Sequence, residues 1–100
     1  MEVTKDEARK LLSNVPDHCT FRCCDGRVIH NVRDLGKTLA HMADDTFRYH
    51  TNQRKNDFSL WVKYTIGDEK LAKHLERTTD KRQTLREISQ RISFLSGQLA

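Results

Sequence analysis

The feature that most constrains the fold is an apolar pattern of helical period in the second half of the chain. Its side chains recur at the spacing that aligns them on one face of a helix. They are Phe58, Trp61, Val62, Thr65 and Ile66. Asn56 or Asp57 can cap the start of this helix, and Gly67 can end it in a left-handed conformation. We therefore predict a core helix up to residue 66, followed at once by a second helix capped by Asp68.

Similar patterns with capping residues recur along the rest of the chain. Thr4 and Glu7 have the spacing of a capping box, and Asn31 can cap a later helix. A further short helix is predicted to begin at Asp44 or Asp45. The last helix alternates apolar steps of three and four residues, at Leu85, Ile88, Ile92, Leu95 and Leu99. We expect this face to pack on the core, with a homodimer seam or a docking face for a partner helix as the alternative.

A β-hairpin is predicted where Asp25-Gly26 lies between β-forming residues. A two-residue turn of this kind needs positive φ at both positions. It would place three pairs opposite one another: Cys24 and Arg27, Cys23 and Val28, Phe21 and His30. A ribbon of two strands is marginal alone, so it must lie against helices.

Together these elements predict a mainly α fold, a compact orthogonal bundle of about five to six short helices with one small β-hairpin near residues 20–30. The chain has 100 residues, of which 36% are apolar, which is enough for one core. We therefore expect a single domain over residues 1–100. Thr78-Thr79-Asp80 separates the last two predicted helices and provides the cap of the final one.

Four motifs in fixed order resemble those of an uncharacterised small-domain family of archaea and bacteria. They are Asp25-Gly26-x-x-Ile29-x-Asn31-x-x-Asp34-Leu35, Phe47-x-Tyr49-His50-x-Asn52, Asn56-Asp57-Phe58-Ser59-x-Trp61-Val62 and Gly67-Asp68-x-x-Leu71-Ala72. The resemblance covers roughly residues 18–76. Members of that family occur as free-standing small proteins or as appendages to larger ones, including glycosyltransferases. The resemblance implies an intracellular, mainly helical domain and brings no biochemical activity with it.

A polar segment around the start of the core helix is the main candidate for a ligand or partner site. Amides exposed at a helix start can bind an anion, a histidine can add charge and a tryptophan can form a wall. The candidate residues are His50, Asn52, Asn56, Asp57 and Trp61. The alternative is structural: the asparagines and the aspartate cap or tie down the loop, and the tryptophan belongs to the core.

The formal charge of +4 comes from 18 basic and 14 acidic residues that are mixed along the chain. This balance permits nucleic-acid binding without requiring it. The basic residues best placed for that alternative are Arg54, Lys55, Lys81, Arg82 and Arg86. Asp44, Asp45, Asp57 and Asp68 lie nearby in the sequence and would repel phosphate.

Metal and enzyme chemistry find little support in the sequence. His18, Cys19, Cys23, Cys24 and His30 are the potential zinc ligands. They lack a second cysteine pair, and adjacent strand residues point to opposite faces, so we predict no metal site and no cofactor. No nucleophile motif or phosphate-binding glycine loop occurs, and one histidine without a paired carboxylate does not make a catalytic site. An enzyme is therefore the least favoured of the functions considered.

The favoured function is a non-enzymatic protein-interaction or regulatory module, which recognises a protein partner or an anionic ligand. We expect a monomer, or a weak homodimer through the C-terminal helix. No apolar stretch approaches the roughly 20 residues that a membrane span needs, and the first ten residues do not resemble a signal peptide. The odd number of cysteines, three, is typical of a reducing compartment, so a cytoplasmic location is expected.

Overall fold

The computed structural model describes residues 3–78 and 80–100. Within them it contains six α-helices and one two-stranded antiparallel hairpin, which confirms the mainly α prediction. Helix α1 (Lys5–Leu12) and a 3₁₀ turn (Asp17–Cys19) precede strands β1 (Phe21–Arg22) and β2 (Val28–Ile29). Then follow α2 (Val32–Ala40), α3 (Asp44–His50), α4 (Asp57–Trp61), α5 (Glu69–Glu76) and α6 (Lys81–Leu99). The radius of gyration of 12.8 Å is that of a compact chain of this length.

The predicted capping residues begin five of the six helices. The side chains of Thr4, Asn31, Asn56, Asp68 and Asp80 each accept a hydrogen bond from a backbone amide in the first turn. Helix α3 begins at Asp44, as expected, but its N-cap is Ala43 and makes no side-chain bond. Glu7 does not complete the capping box in the expected way, because it accepts from the Thr4 hydroxyl rather than from the Thr4 amide. Thr79, which belongs to the predicted break before α6, lies outside the described residues.

The hairpin forms where it was predicted, but its turn and register differ. Phe21 pairs with Ile29 and Arg22 with Val28, and the Cys23 amide donates to the Arg27 carbonyl. All three predicted pairs, Cys24 with Arg27, Cys23 with Val28 and Phe21 with His30, were therefore wrong by one residue. The loop contains three residues rather than two, with the Gly26 amide donating to the Cys23 carbonyl at 3.0 Å. Within this loop only Gly26 has a positive φ, +95°, which is typical of a type I turn with a left-handed third residue. The Asp25 carboxylate accepts from the Arg27 amide at 3.0 Å and stabilises this longer loop.

The helix predicted up to residue 66 is present, with a wider final turn. Helix α4 continues into one π turn over Val62–Ile66, in which the Gly67 amide donates to the Val62 carbonyl at 2.8 Å. Gly67 has a φ of +89° and ends the helix, as predicted. Asp68 then caps α5 by accepting from the Leu71 amide at 3.1 Å.

The core is formed by one face of each helix together with the hairpin. Phe58, Leu35, Leu39 and Leu71 are fully buried at its centre. Helix α6 packs against α1, α2 and α5. The expectation for its apolar face is confirmed for Ile88 and Leu95, which are fully buried, and in part for Leu85, Ile92 and Leu99, which are half-buried.

Candidate functional site

The predicted polar segment lies between α3 and α4. His50 is the last residue of α3, Asn56 is the cap of α4, and Asp57 and Trp61 are its first and last residues. The loop between the two helices is closed by an isolated bridge between Thr51 and Asn56. A second bond, from the Asn52 amide to the Lys55 carbonyl at 2.9 Å, forms the turn inside it. The segment is therefore an ordered connection between two short helices.

His50 is buried, with 4% of its surface exposed, and both ring nitrogens are engaged. The Nε2 atom accepts from the backbone amide of Cys24 at 3.0 Å. Because Nε2 acts as an acceptor, Nδ1 carries the hydrogen and donates to the Asp57 carboxylate at 3.0 Å. The ring also lies 5.1 Å from that of Phe21 and 5.4 Å from that of Phe58. His50 thus joins the hairpin, α3 and α4, and it has no nitrogen left for a proton-transfer role.

The Asp57 carboxylate binds two other side chains of this segment. Its Oδ2 atom accepts from His50 and also from the Lys55 ammonium at 3.0 Å. Lys55 in turn lies 4.6 Å above the ring of Tyr49, which is 58% exposed. The structure therefore brings together His50, Asp57 and Lys55, of which the histidine faces the core and the lysine faces solvent.

The remaining predicted residues of this segment also make internal hydrogen bonds. Asn56 accepts from the Ser59 amide and donates to the Leu75 carbonyl on α5, both at 2.9 Å. Trp61 is 8% exposed, and its Nε1 donates to the Cys19 carbonyl at 2.8 Å. Asn52 accepts from the Arg54 amide and donates to the Arg48 carbonyl. Among the described residues, no buried side-chain nitrogen or oxygen lacks a hydrogen-bond partner.

The outer face of α4 carries two exposed side chains that were not among the predicted site residues. Leu60 is 50% exposed and Tyr64 73% exposed. Leu60 lies on α4, and Tyr64 lies four residues later in the π turn that continues it, so the two side chains are on successive turns of one continuous helix. The Lys63 ammonium lies 5.1 Å above the Tyr64 ring. The signal was present in the sequence, because the apolar pattern from Phe58 to Ile66 leaves these two residues on the opposite side.

The predicted basic residues fall on two different elements. Arg54 and Lys55 lie in the loop before α4, whereas Lys81, Arg82 and Arg86 lie in the first two turns of α6. The Lys81 ammonium is held by the Met42 carbonyl at 2.7 Å and by the Asp44 carboxylate at 3.1 Å. A cleft of about 430 Å³ beside it mixes Arg48 and Arg82 with Asp44 and Asp80. The surface here is of mixed charge.

The three cysteines are free and differ in exposure. Cys24 is exposed, Cys19 half-buried and Cys23 buried. Burial, reinforced by the charge of Asp25 and by Cys24, raises the pKa of the Cys23 thiol to about 11. In the described part of the chain, no group of three or more His, Cys, Asp or Glu residues is arranged to hold a metal ion.

A sequence profile built for a family of unknown function matches residues 17–95. The chain belongs to this family, DUF5752. This confirms the resemblance to an uncharacterised small-domain family. No curated protein and no solved structure matches the chain.

The part shared with DUF5752 begins at the 3₁₀ turn and ends at Leu95. It includes the hairpin, α2 to α5 and most of α6, and leaves α1 outside. Every candidate site residue named above therefore lies within the DUF5752 region. Across residues 3–78 and 80–100, no helix combines the length and the apolar character needed to cross a membrane.

Proposed function

We propose that the protein is a non-enzymatic protein-interaction module that binds its partner through the outer face of α4. The observation that carries this proposal is the exposure of Tyr64, 73%, and of Leu60, 50%, one turn apart on the same face. Tyrosine is enriched in protein interfaces because its ring is large, rigid and amphipathic. We call Leu60 on α4, together with Lys63 and Tyr64 on the π turn that continues it, the outer face of α4.

The contacts on the inner side of α4 support this role. Phe58, Trp61 and Val62 are buried there, and Asn56 ties the helix start to α5. The outer face is therefore held in one conformation before a partner arrives. Such pre-organisation reduces the entropy that binding must overcome.

The polar segment before α4 extends the proposed interface. Lys55 and Tyr49 are exposed there, and the Lys55 ammonium binds the carboxylate of Asp57, which is the first residue of α4. Asp57 and Leu60 are three residues apart and are neighbours on the helix surface. Of the ligand or partner residues predicted from the sequence, Asp57 lies in this proposed interface, while His50, Asn56 and Trp61 support it from inside. Lys55, predicted only for the nucleic-acid alternative, lies beside Asp57 in the same interface.

Nucleic-acid binding has weaker support. Phosphate contacts need cationic side chains that are available. Two of the five basic residues proposed for it, Lys55 and Lys81, are paired with Asp57 and Asp44. An enzymatic role has weaker support still, since both nitrogens of His50 are already bonded.

Affinity capture of the full chain from cells that naturally produce it tests this proposal. Three variants are compared with the parent chain: Leu60→Glu, Tyr64→Ala and the control Phe94→Ala. Phe94 is a matched control, because it is 43% exposed and lies 5.2 Å from a cation, Arg91, much as Tyr64 lies beside Lys63. We expect the parent chain to capture a protein that is also captured by Phe94→Ala and still captured after nuclease treatment. Neither Leu60→Glu nor Tyr64→Ala should capture it. The same captured proteins with all variants would contradict the proposal, and loss on nuclease treatment would favour nucleic acid instead.

A further inference from the structure

A second surface, which shares no residue with the outer face of α4, has the features of a binding groove. It is a shallow, open depression of about 450 Å³ between α2 and α6. Small residues from both helices line it: the buried Gly36 and the exposed Ala40 and Ser89. Leu85 and Ile92, both half-buried, provide apolar walls. We call this the α2–α6 groove.

Gly36 lies at the contact between α2 and α6. A Cβ atom at this position would lie 3.4 Å from Cγ2 of Ile88 and 3.8 Å from Cδ1 of Ile92. The two helices therefore approach closely at the glycine, and the buried Ile88 packs beneath it. Because α6 is also packed against α1 and α5, the groove is a rigid part of the fold.

The rim of the groove is basic. Arg33 and Lys37 are exposed and lie one turn apart on α2. No carboxylate lines the groove in the part of the chain that the structure describes. The acidic residues of α2 and α6 are Asp34 and Glu87, and each is paired with a histidine, His30 at 3.2 Å and His74 at 3.1 Å.

We propose that the α2–α6 groove binds an acidic amphipathic helix of a partner protein. The distance from Leu85 to Ile92 corresponds to about 10 Å along α6, which is two turns of a bound helix. Apolar side chains at i and i+3 or i+4 of that helix would enter between Leu85 and Ile92. Its Asp or Glu side chains would then face Arg33 and Lys37. This surface is separate from the outer face of α4, so the two proposals stand independently.

Charge argues against a second copy of this chain as the occupant. A symmetric dimer through the groove would place the same patch of both subunits face to face. Arg33 and Lys37 of one copy would then meet a surface that carries the same cations, and like charges across an interface oppose association. An acidic helix has the complementary charge.

Selection from a displayed library on the intact chain tests this proposal. The library consists of helical peptides of about 15 residues with leucines at i, i+3, i+4 and i+7 and with all flanking positions randomised. We expect the selected peptides to be enriched in Asp and Glu. They should bind Lys37→Glu at least about tenfold more weakly, which corresponds to about 1.4 kcal/mol. The control Lys73→Glu makes the same charge change at an exposed site on α5 and should leave binding unchanged.

Exchanging the charges of the peptide and the protein shows whether a loss of binding in Lys37→Glu is due to charge or to misfolding. A selected peptide with its acids replaced by lysines should bind Lys37→Glu better than it binds the parent chain. Enrichment of neutral or basic peptides, or of none, would overturn the proposal. Equal binding to Lys37→Glu and Lys73→Glu would also overturn it, as would a dimer in sedimentation that Ala40→Glu abolishes.

Discussion

Arg91 on α6 binds the carboxylate of Asp68 at the start of α5 with two hydrogen bonds, from Nε at 2.7 Å and from Nη2 at 3.1 Å. The side chains are nearly enclosed, 12% and 3% exposed. Asp68 also caps α5 through the Leu71 amide. One carboxylate therefore starts α5 and ties it to the longest helix of the fold.

Removing the arginine of this pair is predicted to lower the stability of the chain strongly. In Arg91→Ala the buried Asp68 carboxylate loses its counter-charge, and breaking such a pair costs about 3–5 kcal/mol. Arg91→Lys should recover only part of the loss, because lysine cannot donate two parallel bonds. Urea unfolding measures both variants. The exposed Arg86→Ala is the control and should change stability by about 0.5 kcal/mol or less. Equal stability of Arg91→Ala and Arg86→Ala would contradict this role.

His50 is predicted to act as a structural link rather than as a reacting group. His50→Ala leaves the Cys24 amide and the Asp57 carboxylate without this partner and removes a ring that packs against both Phe21 and Phe58. We expect a loss of about 2–3 kcal/mol in the free energy of unfolding. His41→Ala, at the exposed end of α2, serves as the control and should be nearly neutral. A His50→Ala chain as stable as His41→Ala would show that the bonds contribute little.

Stability is predicted to fall at alkaline pH through Cys23. The pKa of this thiol is raised from 9.0 to about 11, so the folded chain keeps a proton that the unfolded chain releases. The contribution is complete below about pH 9 and is lost as the pH rises towards about 11. Cys23→Ala should therefore show a flatter decline of unfolding free energy in this range than the parent chain. Parallel pH profiles of the two chains would contradict the assignment.

The same burial predicts the order of thiol labelling. At about pH 8 the exposed Cys24 should react with iodoacetamide well before Cys23, since the thiolate is the reactive species. Mass spectrometry of the digested chain at successive times gives the two rates. Equal rates would show that Cys23 is accessible.

Two glycine substitutions are predicted to have opposite signs. Gly67 has a φ of +89°, so Gly67→Ala forces a strained conformation that costs about 1 kcal/mol or more. Gly36 is helical, and its added Cβ would make ordinary contacts with Ile88 and Ile92. Gly36→Ala should stabilise the chain by roughly 0.5–1 kcal/mol. Thermal unfolding of the two variants measures the direction of each change in stability. Destabilisation by Gly36→Ala would contradict the prediction and would mean that α2 and α6 cannot move apart enough to accommodate the added methyl group.

Local chemistry made much of the fold predictable. Asn31, Asn56 and Asp68 cap their helices because a short acceptor side chain precedes an apolar pattern, and Gly67 ends α4 because it tolerates positive φ. The hairpin register was wrong, because Asp25-Gly26 is compatible with both a two-residue and a three-residue loop. The choice depends on the Asp25 side chain bonding to Arg27, which a dipeptide signal does not reveal.

The candidate site was less predictable because its contacts are long-range. The partner of His50 on the hairpin, Cys24, is 26 residues away, and that of Asp68, Arg91, is 23 residues away. No local pattern contains such pairs. The outer face of α4 could have been found, since it is the complement of the predicted core face. The α2–α6 groove could not, because it depends on how closely two helices pack at Gly36.

Photo-crosslinking at Tyr64 can show whether a protein partner binds the outer face of α4. A benzophenone amino acid replaces Tyr64 in one chain and the exposed Gln83 of α6 in a control chain, each expressed in the native cells. We expect a discrete crosslinked protein from position 64 that disappears when Leu60→Glu is added and is absent from position 83. Equal crosslinking from both positions, or a crosslink at position 64 that survives Leu60→Glu, would contradict it.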